Sequence, residues 1–243
     1  MSHRPVWFVS LCIAATLALG SAQAQNRLPR EPRSTITVLV DLSGTWFNPA
    51  SEADNRKVLS VIADAVSAAA TEIEPPIAVR YLAIGDRSLA RTPLCEAVYA
   101  PNILSVKSTA DSLVNLKQLR DFAAKDCPLA IFLHAPEKFT DISGALDTVA
   151  RMSAYDTAGF HALVVLSDFQ EDRRRQQSGG FGALTGMHAV MLYRVLDSDR
   201  LDPRSLDQRI HKWEGALRHS GATVSSIDDV GLNAGLLKRL LLR

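Results

Sequence analysis

The stretch from Thr35 to Thr45 reads TITVLVDLSGT and decides the fold class. Thr35 to Val40 are almost all β-branched or aliphatic, which is typical of a strand buried on both faces of a parallel sheet. Asp41 ends this run, and Ser43 and Thr45 follow it directly. Because ligands bind at the carboxyl edge of open α/β sheets, an acid and two hydroxyls at that edge predict part of a binding site.

Apolar runs of strand length alternate with helical patterns along the rest of the chain. The pattern predicts helices at residues 52–73, 110–124, 139–155, 202–219 and 232–242, and strands at 77–84, 94–99, 161–168, 189–194 and 222–227. The run Leu129–Leu133 fits a strand or a buried helical turn equally well. The alternation predicts one α/β domain with a doubly wound, mostly parallel sheet and helices on both faces. Right-handed crossovers then place Asp41 and Asp168 at the same edge of the sheet.

The amino terminus has the features of a secretory signal peptide over residues 1–24. A short basic start at His3 and Arg4 precedes an apolar run, and Ala22-Gln23-Ala24 is a small-x-small cleavage pattern. The alternative is an uncleaved membrane anchor, although the run is short for a span. Residues 25–34 are polar and predict a tether, so 35–243 form the domain, which we expect to be periplasmic or secreted. No later stretch is apolar enough to cross a membrane.

The charge balance of the exported chain excludes a nucleic-acid partner. The whole sequence has 27 basic and 26 acidic residues, and the leader contains one arginine and no acid. The remaining domain is therefore neutral, and it lacks the positive charge that supplies non-specific binding to nucleic acid.

Two cysteines, Cys95 and Cys127, remain after the leader is removed. In an exported protein such a pair predicts a possible disulfide, and two buried thiols are the alternative. Neither cysteine belongs to a C-x-x-C pair, which argues against redox chemistry and against a zinc site.

Oxygen-bearing side chains from three segments are predicted to meet at the carboxyl edge. They are Asp41, Ser43 and Thr45 after the first strand, Thr140 as the N-cap of the helix at 139–155, and Asp168 at the end of a later strand. Oxygen-only ligands suit magnesium, calcium or manganese. Two carboxylates neutralise one divalent ion, which can then accept a further anionic oxygen from outside.

These motifs resemble the von Willebrand factor A domain and its metal-ion-dependent adhesion site. Asp41-Leu42-Ser43-Gly44-Thr45 is similar to the family's D-x-S-x-S motif with a terminal threonine, Thr140 is similar to its threonine ahead of a helix, and Val164–Asp168 is similar to its strand-closing aspartate. The resemblance implies a Rossmann-like fold and one bound divalent ion, with magnesium expected and manganese or calcium as alternatives. It also implies a partner protein that donates a carboxylate to the ion, and no enzymatic activity.

Two aromatic residues, Trp46 and Phe47, follow the first motif directly. If they are exposed, they would form a contact surface for the partner. If they are buried, they belong to the core beneath the sheet edge.

Two other functions remain open at this stage. Asp41 to Thr45 also resembles the D-x-D-G-T motif of haloacid dehalogenase-like phosphatases, with Ser43 in place of the second acid. In that case Asp41 would be the nucleophile, and Ser167, Lys212 and Asp228-Asp229 would supply the other motifs. The third possibility is a metal-free structural or interaction module, in which the acids are turn residues and Thr140 is only a helix cap.

Overall fold

The computed structural model describes residues 31–44, 46–47, 49–86, 88, 92–100, 116–172 and 180–243. Six strands in these residues form one sheet in the order β3-β2-β1-β4-β5-β6. Their bounds are Ser34–Asp41 (β1), Ile77–Ile84 (β2), Cys95–Tyr99 (β3), Phe160–Ser167 (β4), Met187–Tyr193 (β5) and Thr223–Asp228 (β6). All neighbouring strands are parallel except β3, which runs antiparallel to β2 at one edge. The predicted doubly wound, mostly parallel sheet is confirmed.

The helices alternate with the strands along the chain. Their bounds are Glu52–Ala69 (α1), Cys127–Phe132 (α2), Ile142–Tyr155 (α3), Asp197–Leu201 (α4), Pro203–His219 (α5) and Ala234–Leu241 (α6). A short 3-10 helix, Pro49–Ser51, precedes α1, and a π-helix, Phe122–Asp126, runs directly into α2. The sequence pattern correctly places α1, α3, α5 and α6, and it misses the five-residue α4.

Each face of the sheet carries its own apolar core, because successive side chains of a strand point to opposite faces. Ile36, Val38 and Val40 of β1 pack on one side with buried residues of α1 and α6. Leu39 of β1 packs on the other side with buried residues of α3 and α5. The central strand is fully buried along its length, which explains why its sequence has no polar alternation.

One helix ends earlier than predicted, and one ambiguous run is resolved as a helix. Helix α1 ends at Ala69 rather than at residue 73, and the Thr71 hydroxyl donates to the carbonyl of Ala68 at 2.8 Å, where the chain turns. The run Leu129–Leu133 is helical in its first four residues, which belong to α2. This helix buries Ile131 and leaves Leu129 exposed. A strand in the sheet would have buried both residues.

The topology places a crevice between β1 and β4. From β1 the chain proceeds to β2 and β3 on one side of the sheet, and from β4 to β5 and β6 on the other. A reversal of this kind is the point at which open α/β sheets bind ligands, outside the carboxyl ends of the strands. Asp41 is the last residue of β1, and Asp168 directly follows β4, so both acids flank this crevice.

The predicted signal peptide and residues 25–30 of the predicted tether lie outside the described residues. Ser34, predicted as the last residue of the tether, is the first residue of β1. In the part of the chain that the structure describes, no helix has both the length and the apolar character needed to span a bilayer.

Candidate metal centre

Asp41 is fully buried and both of its carboxylate oxygens are hydrogen-bonded. Oδ1 accepts the backbone N–H of Ser43 at 2.8 Å, and Oδ2 accepts the hydroxyl of Ser167 at 2.5 Å. Ser167 in turn accepts the backbone N–H of Phe169 at 2.9 Å. The last residue of β4 therefore fixes the orientation of the acid that ends β1.

The pKa of Asp41 is raised from 3.8 to about 6. Burial is the main cause, because it disfavours the charged carboxylate, and the nearby negative charge of Asp168 raises the pKa further. The hydrogen bonds from Ser167 and Ser43 lower it and offset part of the shift. A positive charge beside the two acids would stabilise the ionised form of both.

Asp168 is also fully buried, but only one of its carboxylate oxygens is satisfied. Oδ1 accepts the backbone N–H of Gln170 at 2.8 Å, whereas Oδ2 has no hydrogen-bond partner among the described residues. An unpartnered buried carboxylate oxygen is unfavourable, and buried charges are normally paired or bound to metals. This atom therefore fits the role of a metal ligand.

Ser43 and Thr140 are both buried and lie in segments that are joined through the backbone. The N–H of Glu137 donates to the carbonyl of Leu42 at 2.7 Å, and the N–H of Gly44 donates to the carbonyl of Glu137 at 3.2 Å. Thr140 and Asp172 exchange two backbone hydrogen bonds of 2.9 and 3.1 Å. The segment 137–140 thus spans from the loop after β1 to the loop after β4.

The prediction that Thr140 is the N-cap of α3 is wrong. Asp141 is the N-cap, since its Oδ1 accepts the backbone N–H of Gly144 at 2.8 Å and the helix begins at Ile142. Aspartate and threonine are both favoured N-cap residues, and here the aspartate directly before the helix makes the cap. The backbone of Thr140 is instead used in the bridge to Asp172.

Trp46 anchors the loop after β1 through hydrogen bonds to its carbonyl and a cation–π contact to its ring. The carbonyl of Trp46 accepts Asn55 Nδ2 and the hydroxyl of Ser51, both at 3.0 Å, and its ring lies 4.2 Å from the guanidinium of Arg194. Trp46 and Phe47 are 1% and 6% exposed. Both aromatic residues therefore belong to the core, and they do not form a contact surface.

Of the five predicted ligands, four lie at the carboxyl edge of the sheet around the β1–β4 crevice: Asp41, Ser43, Thr140 and Asp168. Thr45 lies outside the described residues. No group of three or more His, Cys, Asp and Glu side chains in the described ranges could hold a metal, so this set depends on two acids plus hydroxyls. Two buried carboxylates, one with an unpartnered oxygen, fit a divalent cation that prefers oxygen.

Ser167 is a site residue that the sequence reasoning considered only for the phosphatase alternative. Its position follows from the register, because Val40 of β1 is level with Leu166 of β4 and Asp41 is therefore next to Ser167. A hydroxyl at the end of the neighbouring strand could have been recognised once β1 and β4 were paired. The pairing itself is not visible in the sequence.

Of the residues proposed for phosphatase chemistry, Ser167 contacts Asp41, whereas the proposed lysine and acidic pair lie elsewhere. Asp228 ends β6, which is separated from β1 by β4 and β5, or roughly 14 Å at ordinary strand spacing. Asp229 is paired with Arg194, with Nε and Oδ2 2.8 Å apart. Lys212 is exposed on α5, where its ammonium lies 5.5 Å from the ring of Trp213.

The structure joins Cys95 and Cys127 in a disulfide, with their Cα atoms 5.6 Å apart. The bond connects the edge strand β3 to the first residue of α2. Phe132, at the end of α2, stacks on Phe47 with ring centroids 5.2 Å apart. The disulfide thus anchors a helix that packs beside the loop after β1.

No known family profile matches this chain, and no curated protein matches it in sequence. Solved structures with a similar fold include a von Willebrand factor type A protein from Catenulispora acidiphila, which is 14% identical with a TM-score of 0.39 and aligns over 86% of this chain and 41% of that one. The conserved hypothetical protein BatB from Bacteroides thetaiotaomicron is 12% identical with a TM-score of 0.40, over 86% and 96% of the two chains. The manganese-loaded TRAP protein of Plasmodium vivax is 11% identical with a TM-score of 0.34, over 86% and 62%. At such low identity and TM-score these likenesses say nothing about function.

Proposed function

We propose that this chain is an exported von Willebrand factor A-like domain that binds one divalent cation and uses it to bind a partner protein. The ligands would come from Asp41, Ser43, Thr45, Thr140 and Asp168, with magnesium as the expected ion and manganese or calcium as alternatives. The partner would donate a carboxylate to the ion, and no reaction would be catalysed on it. The compartment would be the periplasm or the outside of the cell, which the disulfide between Cys95 and Cys127 supports.

The observation that carries this proposal is the unpartnered Oδ2 of the buried Asp168, close enough to Asp41 to raise its pKa. Two buried acids in one crevice repel each other. A cation between them would offset this repulsion and would give the unpartnered oxygen a ligand bond. Hydroxyl ligands add no charge, so the ion would keep its affinity for one more anionic oxygen. That property suits recognition of a carboxylate on a partner.

Isothermal titration of the purified domain with Mg²⁺ and Mn²⁺, after chelator treatment, tests the proposal. We expect one ion bound per chain in the wild type and none in Asp41→Ala. Asp228→Asn is the matched control, because Asp228 also ends a strand at this edge but lies at β6. Its affinity should equal that of the wild type.

Two results would contradict the metal-dependent function. Absence of heat and of a thermal shift with either ion in the wild type would favour the metal-free structural or interaction module. Phosphatase turnover that is lost in Asp41→Asn would favour the phosphatase alternative and would make Asp41 a nucleophile.

A further inference from the structure

Two side chains of helix α5 donate hydrogen bonds to the backbone that leaves β4. Arg209 Nε donates to the carbonyl of Asp168 at 2.9 Å, and Trp213 Nε1 donates to the carbonyl of Phe169 at 3.2 Å. The two donors are four residues apart and therefore lie on the same face of α5. Consecutive carbonyls after β4 are thus both held by one helix.

The backbone at this point has an uncommon conformation that needs support. Phe169 has a φ of 60°, in the left-handed region that non-glycine residues rarely adopt. Its ring is buried, with its centroid 6.4 Å from that of Trp213. Because the turn directs the Asp168 side chain, any relaxation at Phe169 would move the carboxylate that carries the unpartnered oxygen.

Arg209 is itself fixed by a buried acid. Its Nη2 lies 2.9 Å from both carboxylate oxygens of Asp199, and Asp199 Oδ2 also accepts the backbone N–H of Leu196 at 2.9 Å. The Asp199 side chain is 3% exposed and that of Arg209 is 14% exposed. The guanidinium therefore has one orientation, in which Nε faces the carbonyl of Asp168.

We infer that α5, through Arg209 and Trp213, positions the metal ligand Asp168. Asp199 orients Arg209, the two α5 donors fix the main chain of Asp168 and Phe169, and Gln170 takes Oδ1, so that Oδ2 is the oxygen left for the ion. The inference rests on the proposed function, since it assigns residues that tune the same metal site. Arg209 and Trp213 act through Asp168 and do not contact the ion.

The test compares Mn²⁺ affinity in variants that remain folded. Arg209→Gln alone would leave Asp199 buried without a cation, which is strongly destabilising. The double variant Asp199→Asn with Arg209→Gln is therefore compared with Asp199→Asn, which keeps the Arg209 donor to Asp168. We expect about tenfold or greater weakening of Mn²⁺ binding in the double variant, as for residues that orient metal ligands in other proteins.

Arg80→Gln is the matched control for loss of a partly buried arginine. Its side chain is 16% exposed and pairs with Glu96 and Asp156, but it lies on β2, away from Asp168. Its Mn²⁺ affinity should equal that of the wild type even if its stability falls. Trp213→Phe removes the indole N–H together with part of the buried ring, and we expect a several-fold loss of Mn²⁺ affinity. This variant tests the inference if the double variant does not fold.

Hydrogen exchange at the amide of Gln170, compared with that of the slowest core amides of the same variant, separates a local change at Asp168 from a loss of overall stability. This N–H reports the position of the Asp168 carboxylate, and it should exchange faster in the double variant than in Asp199→Asn, with no change in Arg80→Gln. Wild-type binding with unchanged affinity in the double variant and in Trp213→Phe would overturn the inference and leave the proposed function intact. Absence of Mn²⁺ binding in the wild type would overturn both.

Discussion

The carboxyl edge of the sheet contains two groups of acids that are neutralised in different ways. Asp229, after β6, is paired with Arg194, and Asp199, in α4 after β5, is paired with Arg209. In the β1–β4 crevice, no lysine or arginine among the described residues forms an ion pair with the carboxylate of Asp41 or Asp168, although both are fully buried. Among the described residues, the chain thus supplies its own cations at one group only, and the proposed function expects an external cation at the other.

Removing one acid from the β1–β4 crevice should have the largest effect on Mn²⁺ affinity. Asp168→Asn keeps the shape of the side chain and can still accept the N–H of Gln170, but it removes one of the two negative charges that would bind the ion. We expect Mn²⁺ affinity to fall by at least about 100-fold, roughly 2.7 kcal/mol of binding free energy. Isothermal titration checks this, and an unchanged affinity would show that the ion, if bound, lies elsewhere.

Breaking an arginine–aspartate pair should lower the free energy of unfolding and have little effect on Mn²⁺ affinity. Arg194→Met leaves Asp229 without a cation and removes the guanidinium from the ring of Trp46. We expect the free energy of unfolding in chelator to fall by about 3 kcal/mol, measured by urea denaturation. Mn²⁺ affinity of the folded variant should change much less than in Asp168→Asn, and the reverse ranking would contradict the division into two groups.

Neutralising Asp41 should stabilise the metal-free protein at neutral pH. The pKa of Asp41 is about 6 in the folded chain, against an ordinary value of 3.8, so the folded chain binds more protons than the unfolded chain between these values. Its unfolding free energy should therefore fall as the pH rises from about 4 to 6 and remain low above that. Asp41→Asn should remove this slope and add up to about 3 kcal/mol at pH 7, measured by denaturation in chelator at several pH values.

The smallest expected effect is that of Ser167→Ala. The variant removes the hydroxyl that donates to Asp41 Oδ2 and accepts from the N–H of Phe169. We expect a loss of about 1 kcal/mol in unfolding free energy and a modest loss of Mn²⁺ affinity, because Asp41 becomes less fixed. Ser167→Thr keeps the hydroxyl and serves as the control, and equal loss in both variants would show that packing alone is responsible.

The sequence was sufficient for the fold class because most strands and helices have a simple local signal, either an apolar run or a helical period. The apolar run that ends in Asp41 and the run that ends before Asp168 both predicted buried parallel strands, and right-handed crossovers placed both acids at one edge. Such signals depend on neighbours in the chain. They can therefore be recognised without knowledge of the tertiary structure.

The parts that could not be predicted depend on contacts between distant residues. Ser167 reaches Asp41 only because of the register between β1 and β4, and the burial of Trp46 depends on Asn55 and Arg194. Assignment of the α3 cap to Thr140 failed because Asp141, one residue later, is an equally good cap by residue type. A preference shared by two adjacent residues cannot decide between them.

The disulfide has a practical consequence for handling the protein. Cys95 and Cys127 are 32 positions apart in the chain. If one peptide bond between them is cut, the disulfide still joins the two fragments. Such a cut protein would migrate on a denaturing gel as one species of full mass without reductant and as two fragments with it. Purity checks of this domain should therefore include a reduced sample.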